Sequence, residues 1–364
     1  MLNEIVLAAA LYASSTTTFP PRYPTPIGTP DQFGINDDLN ICETLWNGEP
    51  CSAGPEAMQT ARKAGLGWVR YMFYWNNTNP AQGVYDWTMP DKEITDAINA
   101  GMKVYATVNW APAWASEGIP AYEPWHCMNP DTSFNTSLPE CVDPPSIDVE
   151  AFKTYVREVT LRYKGRVQHW GFGNEAHNKV FWPSGDMDEL VNTLLLPGYT
   201  TVKEVDQALS VVGPDEDDHN NLEVLLQKEQ GKKFFDIISF HAYNDQDNYP
   251  EAALWQLDNQ VKPVIDAYSN GRDVWITETG TAGDRNDQES LEGQAERIGK
   301  MLVGVSKRPW IKKTFVYRIK SVCVDAPKSL DILFCDDTPR PVWYTIKRLI
   351  LPSYREEVYE TPVP

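Results

Sequence analysis

The chain is short of positive charge: 32 Lys and Arg stand against 51 Asp and Glu, a formal net charge of -19. Neutralising nucleic-acid phosphates takes clustered Lys and Arg, which this sequence does not offer, so no nucleic-acid partner is expected. The same deficit disfavours adhesion to an anionic membrane, and its plainer consequence is solubility. No stretch approaches the roughly 18 uninterrupted apolar residues of a membrane span. Histidine is scarce, with five residues, and no His-Glu-x-x-His, Gly-x-Ser-x-Gly or phosphate-loop pattern occurs, which leaves metallopeptidase, serine-hydrolase and P-loop chemistry without support. No Cys-x-x-Cys occurs either, and neither a metal nor a cofactor is expected.

What the chain does have is core-forming and aromatic residues. Hydrophobic residues make up 42% of 364 positions, with 13 Trp and 17 Tyr among the aromatics. Flat rings with a polar handle serve cores and sugar faces alike. The six cysteines fall as three close pairs, Cys42 with Cys51, Cys127 with Cys141 and Cys323 with Cys335. An even count in local pairs reads as disulfides, which points to a secreted, periplasmic or extracellular protein, although sequence alone leaves the connectivity open.

Residues 1–30 combine an apolar stretch, Ile5 to Ala13, with a Ser-, Thr- and Pro-rich run from Ser14 to Pro30. The apolar stretch has the length of a signal-peptide core, but Glu4 and the lack of Lys or Arg before it are wrong for the positive end of one. An export-signal remnant and a plain Pro-rich linker both stay open. From there the chain alternates in kind. Strand-like runs begin at Phe33, Trp68, Lys103, Val167, Ser210, Phe235, Asp273 and Thr314, and helical patterns lie between them, several closed by a glycine such as Gly65, Gly101 and Gly165. Met187 to Ala208 reads as a helix that Pro197 and Gly198 must interrupt. Eight strands alternating with helices predict an α/β fold, a single-domain (β/α)8 TIM barrel over 31–352 with an extended N-terminal segment and a tail at 353–364, expected to act as a monomer. The acidic run Asp215 to Asp218 reads as a solvated turn, because a calcium loop's alternating ligands and central glycine are missing.

Two strands end on a carboxylate, Glu175 after Val167 to Asn174 and Glu278 after Asp273 to Thr277. In a barrel the C-terminal strand ends share one rim, so the two glutamates face one cleft. Parity is expected to aim Glu278 with Val274 and Ile276. Paired carboxylates across a cleft are the requirement of glycoside hydrolysis, where one protonates the leaving oxygen and the other attacks the sugar or activates water.

Gly173-Asn174-Glu175, His241-Ala242-Tyr243 and Thr277-Glu278-Thr279-Gly280 resemble the retaining glycoside hydrolases of clan A. The run from Trp68 through Gly83-Val84-Tyr85-Asp86-Trp87 to Ala113-Trp114-Ala115-Ser116 is similar to family 39 and its endo-acting exopolysaccharide hydrolase relatives, and the likeness spans roughly Phe33 to Leu351. The resemblance implies Glu175 as acid/base, Glu278 as nucleophile and Asn174 as donor to the sugar 2-hydroxyl. It also implies a Tyr243 bond to the nucleophile, with His241 and Arg70 beneath the site. Trp75, Trp110, Trp114 and Trp182 are stacking candidates, with Tyr317 on the cleft floor. The chain departs from the pattern at Ala176 and His177, which replace the usual Pro-Asn, and at Tyr317-Arg318, where many relatives carry a Trp. No β-sandwich follows the last helix within the chain, which favours a single-domain, endo-acting analogy. The expected activity is hydrolysis of β-glycosidic bonds in an oligo- or polysaccharide by double displacement. The alternatives are a non-catalytic carbohydrate-binding barrel, or a transglycosylase using the same site.

Overall fold

The computed structural model describes residues 25–37, 52–116, 147–178, 181–182, 184–320 and 328–351. Eight parallel strands close into a barrel: β1 (Phe33–Asp37), β2 (Trp68–Tyr74), β3 (Lys103–Asn109), β4 (His169–Phe172), β5 (Ser210–Glu216), β6 (Ile237–His241), β7 (Val274–Thr279) and β8 (Ile311–Val316). Closure is made by β1 against β8, with Phe33 beside Thr314 and Ile35 beside Val316. Strands covered on both faces have no solvated side, and β2 is accordingly buried over its whole length.

The helices form the outer layer: α1 (Gly54–Lys63), α2 (Thr88–Asn99), α3 (Val149–Arg162), α5 (His219–Lys228), α7 (Gln288–Ser306) and α8 (Pro341–Ile350) are regular. Aspartates start several of them; the Asp148 carboxylate accepts the amides of Glu150 and Ala151 at the head of α3. Two helices widen into π turns. In α4, Met187–Leu190 runs through a π stretch at Val191–Leu195 into Leu196–Val205, and in α6, Glu251–Gln256 runs through Leu257–Val261 into Lys262–Tyr268. Each π stretch lies just before a proline, Pro197 or Pro263. A proline ring clashes with the carbonyl four residues back, and a wider turn relieves the clash without ending the helix. The interruption expected at Pro197 thus takes the form of a widened turn.

The barrel interior is layered. Trp68, Tyr105, Val212, Trp275 and Phe315 fill the lower part, with the His169 ring 5.0 Å from Trp68 and 5.1 Å from Trp275. Burial and the nearby Lys313 and Lys103 depress the His169 pKa to about 4, so it is a neutral core residue. Above this aromatic floor the interior turns polar, and the site lies there.

Two strands lose their regular register at that level. The β5–β6 pairing shifts between Gly213 and Glu216, and the β6–β7 pairing shifts so that His241 lies beside Glu278. An extra residue in a strand re-aims the side chains beyond it. The parity expectation for Glu278 is corrected on this ground: Trp275 points into the barrel interior, Val274 and Ile276 belong to the outer core, and the irregularity after Ile276 turns Glu278 inward. The expectation of a solvated turn at Asp215 to Asp218 is also overturned, because Asp215 and Glu216 are 1% and 0% exposed.

Candidate active site

Arg70, on β2, is 2% exposed and organises the polar layer. Its Nη1 donates to Glu278 Oε1 at 2.5 Å and to Asn36 Oδ1 at 3.0 Å, and its Nη2 donates to Asn174 Oδ1 at 2.8 Å and to Asp215 Oδ2 at 2.9 Å. Burial works against the guanidinium's charge, but Asp215 and Glu278 outweigh it and hold Arg70 firmly protonated. One cation therefore serves two carboxylates.

Asp215 is held from three further sides. Tyr105 Oη donates to its Oδ2 at 2.7 Å, Thr277 Oγ1 donates to its Oδ1 at 2.6 Å, and its own amide donates to Ser239 Oγ at 2.8 Å. Burial raises its pKa, but Arg70 and the hydroxyl contacts reverse this and keep the carboxyl below its ordinary value, hence ionised. Gly171 makes room for the Tyr105 contact, since a Cβ there would come within 2.4 Å of Tyr105 Oη.

Glu278 receives Arg70 on one oxygen and the Tyr243 hydroxyl on the other at 2.9 Å. Burial pushes its pKa above the ordinary carboxylate value, and Arg70 and the Tyr243 hydrogen bond offset that rise only in part. Glu175 lies opposite. Its side chain is 16% exposed, and its Oε1 is 2.7 Å from His241 Nδ1. Burial raises the Glu175 carboxyl as well, and it has no guanidinium bonded to it in compensation. Carboxylate oxygens of Glu175 and Glu278 and a ring nitrogen of His241 lie within 4.8 Å of one another.

His241 is fully buried, and burial lowers its pKa and favours a neutral ring. Its Nε2 faces only acceptors, Glu278 Oε1 at 3.7 Å and Asp215 Oδ1 at 3.9 Å. The proton belongs on that nitrogen, which leaves Nδ1 as an acceptor for a protonated Glu175. Asn174 is oriented by the same network: its carbonyl oxygen takes the Arg70 bond, so its amide nitrogen, with no protein acceptor among the described residues, is left to donate.

The expected residues Glu175, Glu278, Asn174, His241, Tyr243 and Arg70 thus come together. The aromatic candidates divide. Trp75 is 1% exposed and stacked 5.3 Å from Tyr155, so it is a packing residue and not a sugar platform. Trp114 is tied down by its Nε1, which donates to the Asn79 carbonyl at 2.8 Å, and it packs edge-on against Trp75. Trp110 lies at the end of β3, half-buried over Tyr74 at 4.5 Å, and with Trp182 and Gly173 it lines a cavity of about 80 Å³. Tyr317 is half-buried just past β8. Cys335 carries a free thiol whose Sγ lies 3.8 Å from Arg285 Nη1; the other five cysteines, Cys323 among them, fall outside the described residues, and so do the expected pairings.

Asp215, Tyr105, Asn36 and Glu216 were not anticipated as site residues. Tyr105 and Asn36 are legible only as strand residues, and Asp215 was hidden by its acidic neighbours, which look like surface. The Pro214-Asp215 step inside an otherwise apolar strand was the available signal. Two groups bring three metal-ligand atoms within 4.8 Å, Glu175 with His241 and Glu278, and His177 with Glu216 and Asp217. In the first, the bonded Arg70 cation opposes a second cation.

A parallel eight-stranded barrel with two opposed glutamates at its rim, one gripped by an arginine and a tyrosine and the other by a histidine, has the arrangement that glycoside hydrolysis requires. The chain belongs to the cellulase family, glycosyl hydrolase family 5, whose model matches residues 30–307. Solved structures agree on the fold. A family 39 glycoside hydrolase from Bacteroides cellulosilyticus WH2 superposes with a TM-score of 0.59 at 19% identity over 89% of this chain, which spans 64% of that protein's length. A family 39 β-xylosidase from Caulobacter crescentus gives 0.63 at 14% over 87% of this chain and 70% of its own. Xylanase 10B from Thermotoga maritima gives 0.60 at 15% over 90% and 97%. No curated protein matches. The sequence likeness to family 39 and the family 5 match meet at clan A, to which these families belong. No helix among the described residues is long and apolar enough to cross a membrane.

Proposed function

We propose that this glycosidase cleaves β-linked oligo- or polysaccharide with retention of configuration, Glu278 acting as nucleophile and Glu175 as acid/base. The observation that carries the reading is the pair of carboxylates with oxygens within 4.8 Å, because a retaining site keeps its carboxyls about 5 Å apart, whereas an inverting site leaves room for a water between them.

The partners support the division of labour. Glu278, bonded to Arg70 and Tyr243, is held still with its charge compensated, as attack on an anomeric carbon requires. Glu175, raised by burial and facing the Nδ1 lone pair of a neutral His241, keeps a proton for the leaving oxygen. After that proton is given, the same carboxylate accepts one from the water that hydrolyses the glycosyl-enzyme. Asn174 supplies a donor to the sugar hydroxyl beside the reacting carbon, and Trp110 a ring face at the cleft edge. An endo mode of attack is part of the proposal, in keeping with the cellulase and xylanase names of the matched family and of one structural neighbour.

The test is product analysis on β-1,4-glucan, β-1,4-xylan and mixed-linkage glucan together with aryl β-glycosides. Activity on at least one, lost by more than about a thousandfold in Glu278→Gln, is the expected result. Binding without turnover, unchanged by Glu278→Gln, would contradict it.

A further inference from the structure

Glu175 stands in an unusual backbone position. Its φ is +42°, a left-handed conformation that costs a non-glycine residue of order 1 kcal/mol or more and persists only where the surroundings impose it. The residues that follow, Ala176 and His177, are those at which the chain leaves the pattern of its relatives. What imposes the conformation is the end of β5. The Glu175 amide donates to the Asp215 carbonyl at 2.8 Å, and the Ala176 amide donates to Glu216 Oε1 at 2.8 Å. The other oxygen of Glu216 is 3.2 Å from His177 Nδ1, and Asp217 Oδ1 is 3.0 Å from the same nitrogen.

Glu216 is fully buried, so its charge needs a partner nearby. Arg70 is committed to Asp215 and Glu278. Among the described residues, the remaining cation within reach is the imidazolium of His177, pinned between two carboxylates. Resting on the assignment of Glu175 as the acid, we propose that His177, clamped by Glu216 and Asp217, is a positioning residue that holds the turn behind Glu175 and sets the charge that this carboxyl feels.

The groups facing Glu175 decide the sign. Asp215 on β5 and the buried surroundings favour its neutral form; Arg70 on β2 and His177 on its own loop favour its ionised form; His241 on β6 is neutral, and Glu278 lies opposite on β7. Burial alone would depress the His177 ring, but the Glu216 hydrogen bond and the charges of Asp217, Glu216 and Glu175 carry it up to about 9. It is therefore charged through the neutral range, and its charge moderates the rise that burial forces on Glu175. A site that must give a proton in one half-reaction and take one in the next needs that moderation.

The test pairs His177→Gln, which removes the charge, with His177→Lys, which restores it. In the resting enzyme carrying carboxyl-labelled glutamate, 13C NMR should show Glu175 titrating about one pH unit higher in His177→Gln than in the wild type, the size expected of one lost neighbouring charge. It should return toward the wild-type value in His177→Lys, and Glu175→Gln identifies the resonance. On an aryl β-glycoside that the enzyme cleaves, the alkaline limb of kcat/KM should move up by the same amount. An unmoved Glu175 titration, or a uniform loss of activity with the limb in place, would overturn the proposal. Where His177→Gln does not yield folded protein, 15N NMR of the wild-type ring decides: a His177 still charged at pH 8 supports the clamp, and one that loses its proton near pH 6.5 refutes it. Retention of activity in Glu175→Gln would instead remove the acid/base assignment, while leaving the NMR titration of His177 readable.

Discussion

At Arg70 a single guanidinium is divided between Asp215 and Glu278, and the division matters for Glu278 in its proposed role as nucleophile. Asp215, ionised and held by Tyr105 and Thr277, draws part of the cation's field away from Glu278. Asp215→Asn preserves the shape and the hydroxyl contacts but returns that field to Glu278. The acidic limb of kcat/KM should then move to lower pH, with kcat reduced by about a hundredfold because a less basic carboxylate attacks more slowly; a pH-rate profile checks both. His177 makes a stability prediction of the opposite sense. A group whose pKa rises on folding, here from about 6.5 to about 9, stabilises the fold fully below the lower value, and the gain is lost as pH rises through the upper. His177→Gln should therefore lower the melting temperature most below pH 6, by the equivalent of about 1–2 kcal/mol, and hardly at all above pH 10.

At the scale of elements, the irregularities do the aiming. The register shifts in β5 and β7 bring Asp215 and Glu278 into the barrel, and Gly171 in β4 lets Tyr105 cross to Asp215. Gly171→Ala places a methyl where the Tyr105 hydroxyl now lies, and overpacking of this kind should cost about 1–3 kcal/mol, read by urea unfolding, together with most of the activity. The α3 cap gives a contrast: Asp148→Ala forfeits the bonds to Glu150 and Ala151 and should cost about 1 kcal/mol while leaving kcat unchanged. These elements also mark what sequence can carry. The order of strands and helices was legible, because parallel strands buried on both faces read as apolar runs and glycines close the helices between them. Glu175 and Glu278 were legible because each ends a strand, and Asn174, His241 and Tyr243 through the resemblance to the clan A glycoside hydrolases. Asp215 and Glu216 were not: a local window sees four acidic residues in a row and cannot see the arginine 145 positions away that neutralises the first of them. A bulge cannot be read from alternation either, which is why parity pointed Glu278 with the wrong neighbours. Trp75 failed as a sugar platform for a related reason, since a strand-end tryptophan looks the same whether it faces the cleft or, as here, stacks on Tyr155 of α3.

For the whole molecule, the layers define one direction of approach. The aromatic floor of Trp68, Tyr105, Trp275 and Phe315 closes the barrel from below, the Arg70 layer sits on it, and the proposed substrate would reach Glu175 and Glu278 from the rim. Trp110 and Trp182 line a cavity together with Gly173, two residues before Glu175. Trp110→Ala should raise KM by several-fold with little change in melting temperature, since the ring is half-buried and its removal costs the sugar a stacking face of about 1 kcal/mol. The central claim is that two carboxylates this close work by double displacement. The most direct measurement is 1H NMR of the anomeric configuration in the first minutes of hydrolysis of a β-linked substrate. The account predicts that the β-anomer of the product appears first and mutarotates afterwards; immediate appearance of the α-anomer would contradict it.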